Sequence, residues 1–153
     1  LTLERKRRDM GEIIRDILKV TEGEARKTKV TLQSDVSGHI AHVLIDEARI
    51  KESLINLLIN AVQASPEGEE VAIRAFNKGR SLIIEVIDHG SGIPPNKREE
   101  VFLPFFTTKK EGLGLGLPTS KKIIEAHGGD LTIESNPGRG TTFRAVIPNS
   151  VIS

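Results

Sequence analysis

An aspartate at the end of a mostly apolar run, followed by two closely spaced glycines, is the feature of this sequence best suited to ligand chemistry. Residues 82–87 read LIIEVI, and Asp88, Gly90 and Gly92 come directly after them. Glycines permit a tight turn and let the backbone approach a flat ligand closely. A carboxylate on that turn can accept a hydrogen bond from an amino group such as that of adenine. The pattern predicts one wall of a nucleotide site.

A second glycine cluster, GLGLGL at residues 112–117, precedes Pro118, a residue type favoured in the first turn of a helix. Backbone amides at such a helix start could face a phosphate, although a glycine cluster alone is equally typical of a flexible surface loop. No Lys-Ser or Lys-Thr pair follows a glycine as in a Walker loop, and no strand leads into Gly112 as a Rossmann turn requires. Residues 71–74 are similar to the lysine strand of protein kinases, but Arg74 replaces the lysine and no HRD or DFG follows.

The elements that must position these residues include a helix over residues 46–65 with a narrow polar face. Asp46 can cap its start, and Pro66 and Gly68 stop it. At about 100° per residue, a set of polar side chains falls within an arc of roughly 100°. They are Arg49, Glu52, Ser53, Asn56, Asn60 and Gln63. Nearly every other position is apolar, so the helix must be largely buried, and its amide-bearing face predicts the lining of a cavity. The alternative is that Asn56 and Asn60 only satisfy backbone groups.

The remaining patterns predict an α/β two-layer sandwich, in which a mixed, mostly antiparallel sheet carries helices on one face. Helical spacing of apolar residues runs from Met10 to about Thr28 and again over residues 118–127, where His127 precedes two glycines and is expected to cap the helix end. Pro94 and Pro95 introduce a short helix that reaches about residue 101. Alternating patterns predict strands at residues 30–33, 43–45, 70–76, 81–87, 131–135 and 142–147.

Length and composition limit the functional classes. At 153 residues, with 37% hydrophobic and 28% charged side chains, the chain is sized for one domain. No apolar run approaches the roughly 18 residues needed to cross a bilayer. A net charge of +1 gives no overall positive potential that would attract nucleic acid. The absence of cysteine excludes disulfides, zinc–thiolate sites and thiol nucleophiles and fits a reducing, cytoplasmic location.

The start of the chain predicts a fragment of a longer protein, because it has neither Met nor a targeting segment. Residues 1–9 are mostly charged and are expected to be the end of an upstream helix or a linker. Residues 10–153 then form the domain. We expect no direct membrane contact from this domain, and membrane anchoring of the longer protein stays open.

Four segments together resemble, in order and spacing, the four boxes of the catalytic ATP-binding domain of sensor histidine kinases. They are NLLINAVQAS at 56–65, DHGSGIP at 88–94, VFLPFFTTK at 101–109 and GLGLGL at 112–117. The resemblance covers about residues 10–148, and four ordered boxes are far more specific than any one of them. It implies the Bergerat ATP-binding fold of the GHKL superfamily, shared with gyrase, the Hsp90 chaperone and the MutL repair protein.

The resemblance also implies roles for individual residues. Asn60 corresponds to the asparagine that coordinates the Mg²⁺ bridging the ATP phosphates, with Asn56 as its partner, and Asp88 corresponds to the aspartate that binds the adenine amino group. Lys109 is the candidate for the γ-phosphate. The predicted metal ligand is Asn60, and the predicted catalytic residues are Asn56, Lys109 and Glu52. The predicted nucleotide contacts are Asn56, Asn60, Gln63, Asp88, Gly90, Gly92, Ile93, Phe105, Thr107, Thr108, Lys109, Gly112, Leu113, Gly114, Leu115, Gly116 and Leu117.

Two departures from the family pattern bear on function. Many members carry Lys where this chain has Gln63, so a fixed positive charge at the phosphates must come from elsewhere, with Lys109 as the candidate. None of the four histidines lies in the phosphoacceptor context of the family. The resemblance therefore implies a kinase domain that transfers the γ-phosphoryl group of ATP to a histidine on a separate upstream dimerisation domain, with a response regulator as an indirect partner.

Two alternatives remain. One is an ATPase of the gyrase or chaperone kind, whose families place a water-activating Glu four residues before the metal asparagine. This chain has Asn56 there, which disfavours hydrolysis, although Glu52 lies one turn earlier on the same face. The other alternative is a nucleotide-sensing module without phosphoryl transfer.

Overall fold

The computed structural model of the chain describes residues 1–103, 116–136 and 138–152. Its α-helices and β-strands, in chain order, are β1 (Lys6–Arg8), α1 (Met10–Thr28), β2 (Thr31–Val36), β3 (Val43–Ile45), α2 (Glu47–Ala64), β4 (Glu70–Lys78), β5 (Ser81–Ile87), α3 (Gly116–Ala126), β6 (Asp130–Asn136) and β7 (Gly140–Ile147). In these ranges, none of the helices combines the length and the apolar character needed to cross a membrane.

Five strands form one mixed sheet in the order β2-β4-β5-β7-β6. β2 and β4 are parallel, and the other three pairings are antiparallel. At the centre, Ala75 lies opposite Ile84, which in turn lies opposite Ala145. These side chains belong to the core that the helices cover. The predicted α/β sandwich with a mostly antiparallel sheet is confirmed.

α2 is the central helix, since it packs against α1, α3 and the sheet strands β4 and β5. Its start is fixed by Asp46, whose Oδ1 accepts a hydrogen bond from the Arg49 amide at 3.1 Å, an N-cap interaction. Its apolar side, which includes Leu54, Leu57 and Leu58, is buried. Burial of each such leucine contributes about 1.5–3 kcal/mol. The predicted cap and the predicted end of this helix are confirmed.

The prediction of a helix end at residues 1–9 is wrong. Lys6–Arg8 forms the strand β1, which pairs antiparallel with β3. The Glu4 amide donates to Asp46 Oδ2 at 2.9 Å, and the Arg8 guanidinium lies 2.9 Å from the Glu47 carboxylate. Pairing with β3 and the contacts with the acidic start of α2 therefore hold this charged segment in an extended form, although its charges fit a helix end equally well. Where the domain begins stays a prediction.

The segment predicted as one short helix after Pro94 forms two separate 3₁₀ turns, Pro95–Lys97 and Glu100–Phe102. Between them, the Arg98 guanidinium donates to the Ser135 carbonyl on β6. This long-range bond ties the middle of the segment to the sheet, which accounts for two short turns in place of one helix.

His127 joins the end of α3 to the start of α2. The residue is 1% exposed. Nδ1 lies 2.8 Å from the Ile123 carbonyl, to which it donates, and Nε2 accepts from the Asp46 amide at 3.1 Å. A ring that donates through one nitrogen and accepts through the other is neutral. The predicted capping of the helix end by His127 is confirmed, with an added bond to a second helix.

Candidate nucleotide site

Asp88 lies at the carboxyl end of β5 and is almost fully buried, with 4% of its surface exposed. Its Oδ1 accepts two backbone hydrogen bonds, from the amides of Gly90 at 2.9 Å and Thr141 at 3.1 Å. Burial raises the pKa of this carboxyl above its ordinary value, against the opposing effects of these two bonds and of nearby His89. Because both bonds end on Oδ1, the second oxygen is the one that can face a ligand.

Two glycines let neighbouring backbone segments reach Asp88. A Cβ on Gly90 would overlap with the Ala64 carbonyl at the end of α2. A Cβ on Gly140 would overlap with the carbonyl of Asp88 itself, and Gly140 also has a φ of +101°. Gly90 was predicted from the sequence, but Gly140 was missed. Its signal was the turn NPGRG, which indicates a hairpin and says nothing of a contact with Asp88.

A buried hydroxyl, on Ser135, fastens the turn after Asp88 to the last hairpin. Ser135 Oγ accepts from the Ile93 amide at 2.6 Å and lies 3.0 Å from Thr141 Oγ1 and 3.2 Å from the Gly140 carbonyl. Ile93, a predicted contact residue, is thus held through its backbone while its side chain packs against the core. Gly92, also predicted, takes a φ of +80° in the same turn. Ser135 and Thr141 are functional candidates that the sequence did not reveal.

The polar face of α2 lies between the two predicted glycine segments. Its carboxyl end meets the Asp88 turn, through the close approach of Gly90 to Ala64. Its middle meets the start of α3, where Asn56 Nδ2 donates to the Gly116 carbonyl at 3.4 Å. Asn56 and Asn60 are both half-buried. The turn after Asp88, which is predicted to bind adenine, and the first turn of α3 therefore both contact α2, the helix that carries Asn56 and Asn60.

Other members of the predicted face point to neighbouring helices or to solvent. Gln63 is exposed, and its Nε2 lies 3.4 Å from Glu24 Oε1 on α1. Glu52 is exposed and lies 3.5 Å from Arg49 in an ion pair. Ser53 is fully buried against α3, so the prediction that the whole face lines a cavity is wrong for this residue. Helical spacing places the three on one side of α2, but the packing of α1 and α3 decides what each one meets.

The first turn of α3 carries the described part of the second glycine cluster. Gly116 is exposed and Leu117 is half-buried and packed against the core. The remaining predicted contacts of that cluster and of the phenylalanine-rich segment lie outside the described residues. They are Phe105, Thr107, Thr108, Lys109, Gly112, Leu113, Gly114 and Leu115.

A magnesium ion fits this face through amide oxygens rather than through a cluster of charged ligands. The described parts of the chain hold no group of three or more His, Cys, Asp or Glu side chains that could bind a metal. Mg²⁺ is usually held by one or two protein oxygens together with phosphates and water. The half-buried Asn60 can supply such an oxygen. The donor set thus suits a metal that arrives with a phosphate ligand.

The fold is an α/β sandwich that places the buried Asp88 beside the amide side chains of α2, and comparison with known proteins specifies the class of domain. The family described as "Histidine kinase-, DNA gyrase B-, and HSP90-like ATPase" matches residues 45–151. This range includes α2, the Asp88 turn and the last hairpin. The chain belongs to this ATPase family.

Within the family, the chain is similar to sensor histidine kinases. It is 32% identical to the sensor histidine kinase ZraS of Escherichia coli over 143 residues, which cover 94% of this chain and 31% of ZraS. The nucleotide-free catalytic domain of histidine kinase ThkA superposes with a TM-score of 0.87 at 34% identity, covering 96% of this chain and 97% of that one. ThkA in complex with the response regulator protein TrrA gives 0.82 at 33% identity, covering 96% and 42%.

A structure with a bound nucleotide analogue is similar over the whole chain. Full-length ShkA in complex with AMPPNP gives a TM-score of 0.89 at 25% identity, covering 100% of this chain and 32% of ShkA. The predicted kinship with histidine kinase catalytic domains is confirmed. The chain spans about a third of the length of ZraS and about a fifth of the next relative, the C4-dicarboxylate transport sensor protein DctS of Rhodobacter capsulatus.

Proposed function

We propose that this chain binds ATP with Mg²⁺ and transfers the γ-phosphoryl group to a histidine on a separate helical dimerisation domain in two-component signalling. The observation that supports this most is the state of Asp88. A carboxylate that is 4% exposed, with burial raising its pKa, is costly to keep in a fold. Among the described residues it forms no ion pair, and its two hydrogen bonds both end on one oxygen. A ligand amino group that donates to the second oxygen offsets this cost.

The adenine ring is expected to lie against the turn that follows Asp88. Asp88 accepts from the exocyclic amino group, and the glycine backbone at Gly90 and Gly92 gives the flat ring close access. Gly140 and Thr141 hold Asp88 from behind, so the carboxylate is oriented before the nucleotide arrives. This arrangement selects a base with a donor at that position.

The phosphates are expected to lie along α2 and the first turn of α3. Asn60 provides an amide oxygen for Mg²⁺, and Asn56 lies one turn earlier on the same face. When bound, the metal neutralises charge on the phosphates. Gly116 places the start of α3 beside Asn56. Three roles stay predictions: Lys109 as the cation for the γ-phosphate, Gln63 as a further nucleotide contact, and Glu52 as a catalytic candidate.

The reaction itself requires little covalent participation from the protein. The bond between the γ-phosphorus and the β,γ-bridging oxygen breaks, a bond from the acceptor imidazole nitrogen to phosphorus forms, and ADP leaves. Positioning and charge neutralisation supply most of the catalysis in such transfers. The acceptor is expected on the chain's own upstream dimerisation domain, because none of the histidines here is predicted to serve. A response regulator is the expected next acceptor, in the class that was solved with ThkA. The proposed location of this reaction is the cytoplasm.

The test mixes this chain and radiolabelled ATP with a separately produced dimerisation domain of the same protein. Label should appear on the dimerisation domain in a bond that is labile in acid and stable in base, as a phosphoramidate is. The chain alone should bind ATP, remain unlabelled and release no appreciable free phosphate. Replacing the acceptor histidine of the dimerisation domain is the matched control, and it should abolish labelling without changing ATP binding.

Other outcomes of this test would favour the alternatives. Steady release of free phosphate without an acceptor would favour an ATPase of the gyrase or chaperone kind. ATP binding with neither transfer nor hydrolysis would favour a nucleotide-sensing module. Rapid self-labelling of the chain would contradict the assignment of the acceptor to another domain.

A further inference from the structure

Two serines form the crossing between α2 and α3. Ser53 and Ser120 are both fully buried. Ser120 Oγ donates to the Ser53 carbonyl at 3.0 Å, and Ser53 Oγ lies 3.4 Å from the Ser120 carbonyl, so each hydroxyl reaches the backbone of the other helix. Such a reciprocal contact requires that the two backbones approach closely, which small side chains permit.

A buried hydroxyl in a helix has a simpler way to satisfy its hydrogen bond. It can donate to a carbonyl of its own helix, three or four residues earlier. Thr21 on α1, equally buried, does this, since its Oγ1 donates to the Ile17 carbonyl at 2.8 Å. The serines at the crossing bond between helices instead. Their bonds therefore depend on how far α3 is displaced along α2, whereas the bond of Thr21 does not.

The serine pair lies directly beside the proposed phosphate end of the site. Ser53 is three residues before Asn56 on α2, and Ser120 is four residues after Gly116 on α3. Asn56 Nδ2 also bonds across the crossing, to the Gly116 carbonyl at 3.4 Å. The serine bonds and the Asn56 bond thus form two successive links between the same helices, one turn apart. A shift of α3 that breaks the first link also moves the second.

We propose that Ser53 and Ser120 are positioning residues, which hold α3 in register with α2 so that the first turn of α3 and the amide of Asn56 meet the phosphates together. This inference rests on the proposed function. Alanine would keep the close approach of the two helices without any buried polar group, so packing alone does not call for two hydroxyls. Directional hydrogen bonds specify one register, and apolar contacts specify it less sharply.

The test compares Ser53→Ala/Ser120→Ala, which removes two buried hydroxyls that bond between helices, with Thr21→Val, which removes one that bonds within its own helix. Both variants should lose some thermal stability and remain folded. Only the serine variant should bind Mg²⁺-ADP more weakly, by about tenfold, a loss of about 1.4 kcal/mol. Adenosine, which lacks phosphates, should bind the serine variant as well as it binds the unaltered chain. The Thr21 variant should bind both ligands normally.

The single variants keep the test decisive if the double variant does not fold. Because the two bonds share one register, Ser53→Ala and Ser120→Ala should each weaken Mg²⁺-ADP binding, and their effects should not add in the double variant. Unchanged Mg²⁺-ADP affinity in a folded serine variant would overturn the inference, as would an equal loss for adenosine. If the unaltered chain binds neither ligand, the proposed function fails instead, which is a distinguishable result.

Discussion

The turn around Asp88 and the polar face of α2 are both parts of the proposed site, but they are built differently. Asp88 and Ser135 are buried, and both are held by hydrogen bonds of 2.6 to 3.2 Å. On α2, the contacts of Asn56 and Gln63 are both 3.4 Å long, and these side chains are half-buried or exposed. The first region is fixed before a ligand binds, whereas the second can adjust.

This difference suggests that the Asp88 turn binds the adenine base and that the polar face of α2 binds the phosphates with Mg²⁺. A rigid wall suits adenine, because the base is flat and presents its donors in one geometry, and a pre-formed contact loses little entropy on binding. Phosphates with Mg²⁺ and its waters are variable in arrangement, so half-exposed amides can follow them. Changes at the wall should therefore have the larger effects on nucleotide affinity, and changes on α2 should be smaller and depend on the metal.

The largest effect is expected from Asp88→Asn. The amide can keep the bonds from Gly90 and Thr141 on its oxygen, but it then presents a donor to the donor of adenine. We expect ADP to bind roughly 100-fold more weakly, because an unpaired buried donor and a lost charged bond cost about 3 kcal/mol. Calorimetry with ADP measures this.

Stability should not fall in the same variant. Burial raises the pKa of Asp88, so at neutral pH its charge destabilises the folded state, and the uncharged amide removes that cost. The exposed Asp35 on β2 provides the control, since Asp35→Asn should leave ADP affinity unchanged. Unaltered affinity in Asp88→Asn would remove Asp88 from the adenine wall.

The next largest effect is expected from Gly90→Ala. The added methyl group would overlap with the Ala64 carbonyl, so the Asp88 turn and the end of α2 must separate. We expect a loss of about 1–3 kcal/mol in the free energy of unfolding, typical of overpacking, and roughly tenfold weaker ADP binding. Denaturant unfolding and calorimetry measure the two quantities.

Gly23 on α1 is the matched control, because a Cβ there meets no atom within 4 Å. Gly23→Ala should stabilise the chain by up to about 1 kcal/mol, as alanine does in helix interiors, and should leave ADP binding unchanged. A Gly90→Ala variant as stable as the unaltered chain would show that the wall is less rigid than its contacts indicate.

The α2 face should respond to Mg²⁺ where the wall does not. We expect Asn60→Ala to weaken ADP binding about tenfold with Mg²⁺ and less than about threefold without it, since the proposed role of the amide is to bind the metal. Calorimetry in the presence of Mg²⁺ or of a chelator tests this. Equal losses under both conditions would mean that Asn60 contacts the nucleotide or supports the fold instead.

How far the sequence predicts this site follows from the distance along the chain between contacting residues. The helix containing Asn56 and Asn60 is predicted with its cap because periodicity and capping are local properties. The position of Asp88 at the end of β5 is local in the same sense. Thr141 and Gly140 reach Asp88 only through the pairing of β7 with β5, more than 50 residues away, a register that no local pattern specifies.

The same reasoning explains the errors on α2 and at the start of the chain. Ser53 and Gln63 share a face by spacing, but α3 buries the first and α1 binds the second. Residues 6–8 form a strand because β3 offers them an edge, although their charges fit a helix end equally well. Tertiary contacts outweigh local preference in each case.

A smaller, pH-dependent effect is expected at the start of α2. His127 is neutral in the fold, and burial lowers its pKa below the ordinary 6.5, with nearby Arg5 acting in the same direction and the Ile123 carbonyl and Asp46 opposing them. The unfolded chain therefore binds the proton first as the pH falls. The contribution of His127 to the free energy of unfolding is full above pH 6.5. Below pH 6.5 it decreases by at most about 1.4 kcal/mol per pH unit, until the lowered pKa is reached.

Denaturant unfolding at several pH values measures this slope, and His127→Gln, which cannot titrate, should remove His127's share of it. The raised pKa of Asp88 has the opposite sign, because the folded state binds that proton first and gains relative stability as the pH falls. The pH dependence of unfolding therefore separates the contribution of His127 from that of Asp88. An unchanged slope in the His127→Gln variant would mean that the bond between His127 and Asp46 tolerates protonation.

The smallest effect is expected from Glu52→Gln, on an exposed part of the α2 face. Glu52 and Arg49 are 46% and 44% exposed in their side chains and lie 3.5 Å apart, and an exposed pair of this kind contributes about 0–1 kcal/mol. We expect ADP affinity to change by less than about twofold, because a flexible, solvated carboxylate exerts only weak repulsion on a bound anion.

Calorimetry with ADP and an assay of free phosphate test this, with Glu22→Gln on the exposed side of α1 as the control. If phosphate release falls in the Glu52 variant and not in the Glu22 variant, Glu52 activates water and the ATPase alternative gains support. If release stays at background in both, the adjustable face of α2 serves to hold the phosphates and not to hydrolyse them.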